Sequence, residues 1–122
     1  RSAMAMLLLG DDYILGSLRL SVHRALFTRI SATARLVELP LEDIPGYLKW
    51  HMSRAGLDRD IFDPAATDML AEASEGNPRI LSLLAQAAWI AAARSGSLTI
   101  QADHVHKALR QVPAASAKIP KS

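Results

Sequence analysis

The sequence contains no cysteine, which rules out disulfides, zinc–thiolate centres and cysteine nucleophiles. Aromatic residues are scarce, 5% of a chain that is 50% hydrophobic. The core must therefore come from aliphatic side chains, mostly alanine and leucine, as in a closely packed helical protein. No apolar run approaches the roughly 20 residues a membrane-crossing helix needs. The run at residues 3–9, "AMAMLLL", is followed by Gly-Asp-Asp and not by the small-residue pattern of a leader cleavage site. Neither sign of charge dominates: 14 Lys and Arg against 12 Asp and Glu give a net +2, too little for a strong nucleic-acid footprint. The phosphate-cradling pattern G-x-x-x-x-G-K-[ST] is also absent. These absences predict a soluble, cytoplasmic chain with no direct membrane insertion. Its 122 residues fit one domain, or a small domain plus a piece of another.

The first third and the rest differ in texture. Residues 3–9, ending at Gly10-Asp11-Asp12, read as a strand buried on both faces. Residues 13–30 read as one helix, with a weak point near Gly16–Ser17 and with Leu18, Val22, Ala25 and Leu26 on one face. Residues 31–39, "SATARLVEL", form the second strand candidate. From Pro40 onward only helices are predicted. Asp43 is a candidate cap with Tyr47, Leu48 and Met52 inward, and Gly56 is the stop. Asp63, Pro64 and Gly76 bracket the next helix, with Ala66, Met69, Leu70 and Ala73 inward. A helix from Pro78 to about Arg94 is apolar nearly all round and should be central. A short extended "LTI" then precedes a helix capped by Thr99 or by residues 101–103, with Val105, Ala108 and Leu109 inward. Residues 113–122 form a polar tail expected to be flexible.

One local pattern raises a chemical question. In "SEGNPRILSLL" Gly76 ends one helix, Asn77 caps the next and Pro78 takes its first position. Arg79 then falls in the first turn, where the helix dipole disfavours a cation by about 0.3–1 kcal/mol. Either a carboxylate, Glu75 or Asp68, neutralises it, or an anion comes to the helix start and meets both the arginine and the free N–H groups. Arg29, in "ALFTRIS", ends a helix, where a solvated cation is at ease. His104 and His106 are about 200° apart on a helix, and His23 and His51 have no clustered carboxylates, so no metal site is predicted. No Ser, His and Asp arrangement marks a hydrolytic site. "LLLGDD" has a glycine between apolar run and acids, which suits a strand-end turn better than a magnesium-holding element.

The order of these elements resembles the second half of an AAA+ ATPase, most closely the type II secretion ATPases of the ExeA (GspA) kind and related helpers of DNA transposition. The likeness is carried by "LLLG", "LFTRI", "LPLEDIPGYLKWHMSRAG", "IFDPAATDMLAEASEGNPR" and "LTIQADHVHKAL". It implies a mainly α fold: a helical AAA+ lid at 40–112 and a tail at 113–122, preceded at 1–39 by a β-α-β remnant of the α/β core. Arg79 then matches the sensor 2 arginine on the γ-phosphate, with Gly76, Asn77 and Pro78 shaping the nucleotide-binding corner. Arg29 matches the arginine finger, the catalytic candidate, which acts on the nucleotide of a neighbouring copy. Gly10 and Asp11 lie at the sensor 1 turn, without the usual Asn or Thr. Ile-Asn commonly follows G-x-P-R in the family, where this chain has Leu81-Ser82. The implied cofactor is ATP with magnesium, held only by a complete parent protein, because this chain has no P-loop. It is expected to be a fragment inactive alone. The implied partners are ATP, neighbouring copies, and DNA or a secretion or transposition protein. The alternative is a stand-alone helical DNA- or protein-binding module, with Lys49, Arg54, Arg59, Lys107 and Arg110 as DNA candidates. A third reading is a packing domain in which Arg79 pairs with Glu75 or Asp68.

Overall fold

The computed structural model describes residues 4–116. Contacts divide the chain into two compact units, one ending at Leu36 and the other beginning at Val37.

In the first unit, helix forms only in short pieces: α1 (Ile14–Leu18), a 3₁₀ turn (Ser21–His23) and α2 (Arg24–Phe27). The single helix expected over residues 13–30 is thus broken, and at Leu20, whose ψ of 146° is extended, not at Gly16–Ser17. Isolated helices shorter than about 12–15 residues are marginal unless a face is packed. None of the described residues in this unit is buried, Val22 and Leu26 of the expected inner face included. Neither strand candidate is a strand among the described residues. A strand needs hydrogen-bonding neighbours for its backbone, and the segments at 4–10 and 31–36 find no pairing strand among the described residues. Met6, Leu7, Leu9 and Leu36 stay largely exposed.

The second unit carries the core. A 3₁₀ turn (Leu41–Asp43) runs into α3 (Ile44–Arg54); α4 (Pro64–Ser74), α5 (Pro78–Arg94), α6 (Ala102–Gln111) and α7 (Pro113–Ser116) follow. Asp43 is already helical and its side chain makes no cap bond, so the turn begins one residue after Pro40 instead. Gly56 (φ +85°) ends α3 as expected. Asp63 flanks α4 in extended conformation but caps with its carbonyl, which accepts from the Thr67 amide and hydroxyl. Helix α6 starts after Gln101, not Thr99. The expected extended "LTI" contributes a parallel bridge between Ile100 and Phe62, which ties the loops before α4 and α6 together.

Helix α5 packs on α4, α6 and α7. The buried set is Ile44, Leu48, Ile61, Leu70, Leu81, Leu84, Ile100 and Val105, with Ala66, Ala88, Ala92 and Ala108 at helix contacts. The alanines allow close helix approach, while each large aliphatic side chain contributes about 1.5–3 kcal/mol on burial. The inner faces expected for α4 and α6 are in place, with Ala66, Leu70, Val105 and Ala108 buried. Residues 113–116 continue the bundle as α7, where Ala115 is buried; the remainder of the expected tail lies outside the described residues.

Candidate functional site

The corner between α4 and α5 is built from the backbone outward. Helix α4 ends on two successive left-handed residues, Glu75 (φ +49°) and Gly76 (φ +76°). The second turns the chain so that the Gly76 carbonyl accepts from the Leu39 amide at 2.8 Å. Gly76 is buried there, and a Cβ on it would run into the Leu39 backbone and Glu38. Its glycine is thus required by packing on the segment leading into the helical unit, which the sequence pattern alone did not show. Asn77 is an N-cap in extended conformation, and its Oδ1 accepts from the Arg79 amide at 3.0 Å and the Ile80 amide at 3.2 Å. Pro78 holds the first helical position. Asn77→Ala should therefore cost about 1 kcal/mol, read as a lowered urea midpoint with unchanged slope.

Arg79 is exposed in the first turn of α5, which contains no acidic residue in that turn. The ion pairs among the described residues join Arg35 to Asp12 at 3.0 Å and Lys49 to Asp60 at 3.8 Å. Neither of these two pairs involves Arg79. A guanidinium and a positive helix end thus point into solvent together, an arrangement suited to an anion.

The other expected residues are spread more widely. Arg29 is exposed just beyond α2, its amide bonded to the Leu26 carbonyl. Asp11 accepts the Tyr13 amide on Oδ1 at 3.0 Å and the Ile14 amide on its carbonyl at 3.1 Å. It opens α1 as an Asx turn, and Gly10 leaves room for the Ile14 side chain. Of the cations considered for DNA, Lys49 and Arg54 sit on α3, Lys107 and Arg110 on α6. Lys49 is paired with Asp60, and Arg54 stacks over Trp50 at 5.6 Å. Lys107 and Arg94 share a shallow groove of about 240 Å³ with Ser95 and Gln111. Arg59 lines a separate cleft of about 610 Å³ between α3 and α4, together with Met52, Phe62, Asp58 and Asp68. None of residues 76–79 lines that cleft.

One side-chain pair was not visible in the sequence. His104 is buried, and Ser95 Oγ lies 3.0 Å from its Nε2. Its Nδ1 accepts the Gln101 amide at 3.0 Å, which leaves the ring proton on Nε2, donating to Ser95, whose hydroxyl donates to the Ala92 carbonyl at 2.9 Å. This is the wrong tautomer for a general base on serine, so the relay locks the α5–α6 corner. His106 is exposed on α6 and His51 packs against Tyr47 and Trp50. Among the described residues no three His, Asp or Glu side chains form a metal-sized cluster, and no helix is long and apolar enough to cross a membrane.

Comparison with known proteins adds one relationship. The likeness is to General secretion pathway protein A of Aeromonas hydrophila. The two are 32% identical over 97 residues, which is 80% of this chain and 18% of the relative. This chain thus corresponds to less than a fifth of that protein's length. No family model and no solved structure matches.

Proposed function

We propose that the chain is the nucleotide-sensing lid, with the end of the α/β core, of an AAA+ ATPase of the GspA type. The observation that carries this reading is Arg79: exposed, in the first turn of a capped helix that holds no acidic residue there, in a chain with GspA-like sequence. In the longer protein Arg79 reaches the γ-phosphate of ATP, held with magnesium by a P-loop outside this chain. Asn77 and Pro78 set the direction of that helix start, and Gly76 fastens it to the segment at Leu39. Residues 4–10 and 31–39, without helix and rich in exposed apolar side chains, suit strands of a sheet whose other members belong to the same core. Arg29 serves the nucleotide of a neighbouring copy. The assembly works in the cytoplasm and couples its ATP state to a secretion partner.

The test uses this chain and a form extended N-terminally into a complete ATPase. Arg79→Ala in the extended form is expected to lower ATP turnover about 10–100-fold, as loss of a charge-assisted hydrogen bond worth roughly 1.5–3 kcal/mol. Thermal stability should hold or rise slightly, because the substitution also relieves the dipole penalty. ATP turnover by the short chain alone, insensitive to Arg79→Ala, would overturn the proposal.

A further inference from the structure

Helix α3 buries only one side. Ile44 and Leu48 enter the core, while Asp43, Trp50, His51 and Arg54 are exposed and Tyr47 is half-buried. At about 100° per residue, these last five side chains fall within an arc of about 100° and make one continuous face. Trp50 is 58% exposed, yet it is held on two sides. The His51 ring meets it edge-on at 4.9 Å, and the Arg54 guanidinium lies 5.6 Å from its ring centre. Tyr47 braces His51 in turn, with ring centres 4.4 Å apart. An aromatic surface fixed beforehand loses little side-chain entropy on binding, and Trp, Tyr and Arg are the residue types that dominate interface energies. The charges of this face sit at its two ends. The Asp43 carboxylate, which makes no cap bond, stands at the start, and Arg54 lies about 16 Å further along the axis.

We propose that this face of α3 pairs with the same face of a second copy of the chain, antiparallel about a twofold axis. Asp43 and Arg54 are equidistant from the point between Leu48 and Lys49, and Tyr47 and Trp50 are equidistant from that same point. A twofold axis there sets Asp43 of each copy opposite Arg54 of the other. In the same register it sets Tyr47 opposite Trp50, so the face is complementary to itself. Gly46, where an added Cβ would meet nothing within 4 Å, leaves room at the edge for close helix approach. Parallel pairing fails, because it sets Asp43 on Asp43 and Arg54 on Arg54. Nucleic acid fits one end only: a polyanion drawn to Arg54 meets Asp43 on the same line, and Lys49 is already paired with Asp60. One helix face buries less than the roughly 1,200 Å² of a stable complex, so the dimer is a weak one. Its twofold contact is distinct from the head-to-tail contact that an arginine finger requires, and it uses neither Arg29 nor Arg79.

The chain itself is measured by sedimentation equilibrium up to about 1 mM, the range in which weak complexes are populated. A monomer–dimer equilibrium is expected. Asp43→Arg and Arg54→Asp should each weaken it about tenfold or more, because each turns two attractive pairs into two like-charge pairs. Mixing the two variants should restore association as a heterodimer, since every charge pair across the axis is then again of opposite sign. A folding defect in either variant cannot produce that restoration, and far-UV circular dichroism checks the fold of each. A monomer throughout the range, a dimer that neither substitution weakens, or no restoration on mixing overturns the proposal. So does a single-stranded DNA oligonucleotide bound by the chain in place of a second copy and released by Trp50→Ala, which assigns the face to nucleic acid. ATP enters none of these measurements, so the sensing role of Arg79 stands or falls separately.

Discussion

Gly76→Val is expected to destabilise the helical unit by about 3–5 kcal/mol, the largest stability effect of any single exposed-helix or turn substitution considered. Three costs combine. The left-handed φ of +76° costs an L-residue roughly 1–2 kcal/mol, and a β-branched one more. The new Cβ meets the Leu39 carbonyl and amide and the Glu38 Cβ, an overpacking of about 1–3 kcal/mol. Relieving that clash breaks the Leu39 amide to Gly76 carbonyl bond, worth about 0.5–1.5 kcal/mol. Gly56→Val is the matched control: its φ is +85° but nothing lies within 4 Å of the added Cβ. It should lose the backbone part alone. Equal losses at the two positions in urea unfolding would show that contact with Leu39 contributes nothing.

Arg29→Ala should give the largest loss of activity, about 10³-fold in ATP turnover by the assembled extended protein if Arg29 acts as an arginine finger. Its position allows a clean experiment. Arg29 is exposed and follows a four-residue helix with no buried side chain, so folding should be unaffected. The decisive measurement is complementation. Subunits carrying Arg29→Ala are mixed with subunits that keep Arg29 but whose own P-loop lysine is replaced. Recovery of turnover in the mixture is expected, because the finger of one copy serves the nucleotide of the next. No recovery, with assembly demonstrated, would remove Arg29 from the site.

The two arginines also mark how far the sequence could be read. Arg79 was placed by local chemistry: Asn77 as cap, Pro78 at the first position and Gly76 left-handed are all where a reading of "EGNPR" puts them. Its outward aim is a consequence of those caps. Arg29 had no such frame, and the helix expected to carry it is broken at Leu20, since no packed face sustains it.

What the sequence by itself determined is therefore the punctuation of the helical unit. The stop at Gly56, the starts at Pro64 and Pro78 and the whole span of α5 depend on dihedral preferences and hydrogen bonds reaching only a few residues along the chain. Tertiary structure alone decided what those elements touch. It set Gly76 against Leu39, joined Phe62 to Ile100, chose the tautomer of His104 through Ser95 and Gln101, and turned Leu83 and Ile90 outward on a helix apolar on nearly every side. Those contacts join residues brought close by packing, and a pattern of local preferences carries no information about which distant backbone arrives. The same reason applies to residues 4–10 and 31–39: a strand is defined by its neighbours, and an apolar run without them takes no regular secondary structure.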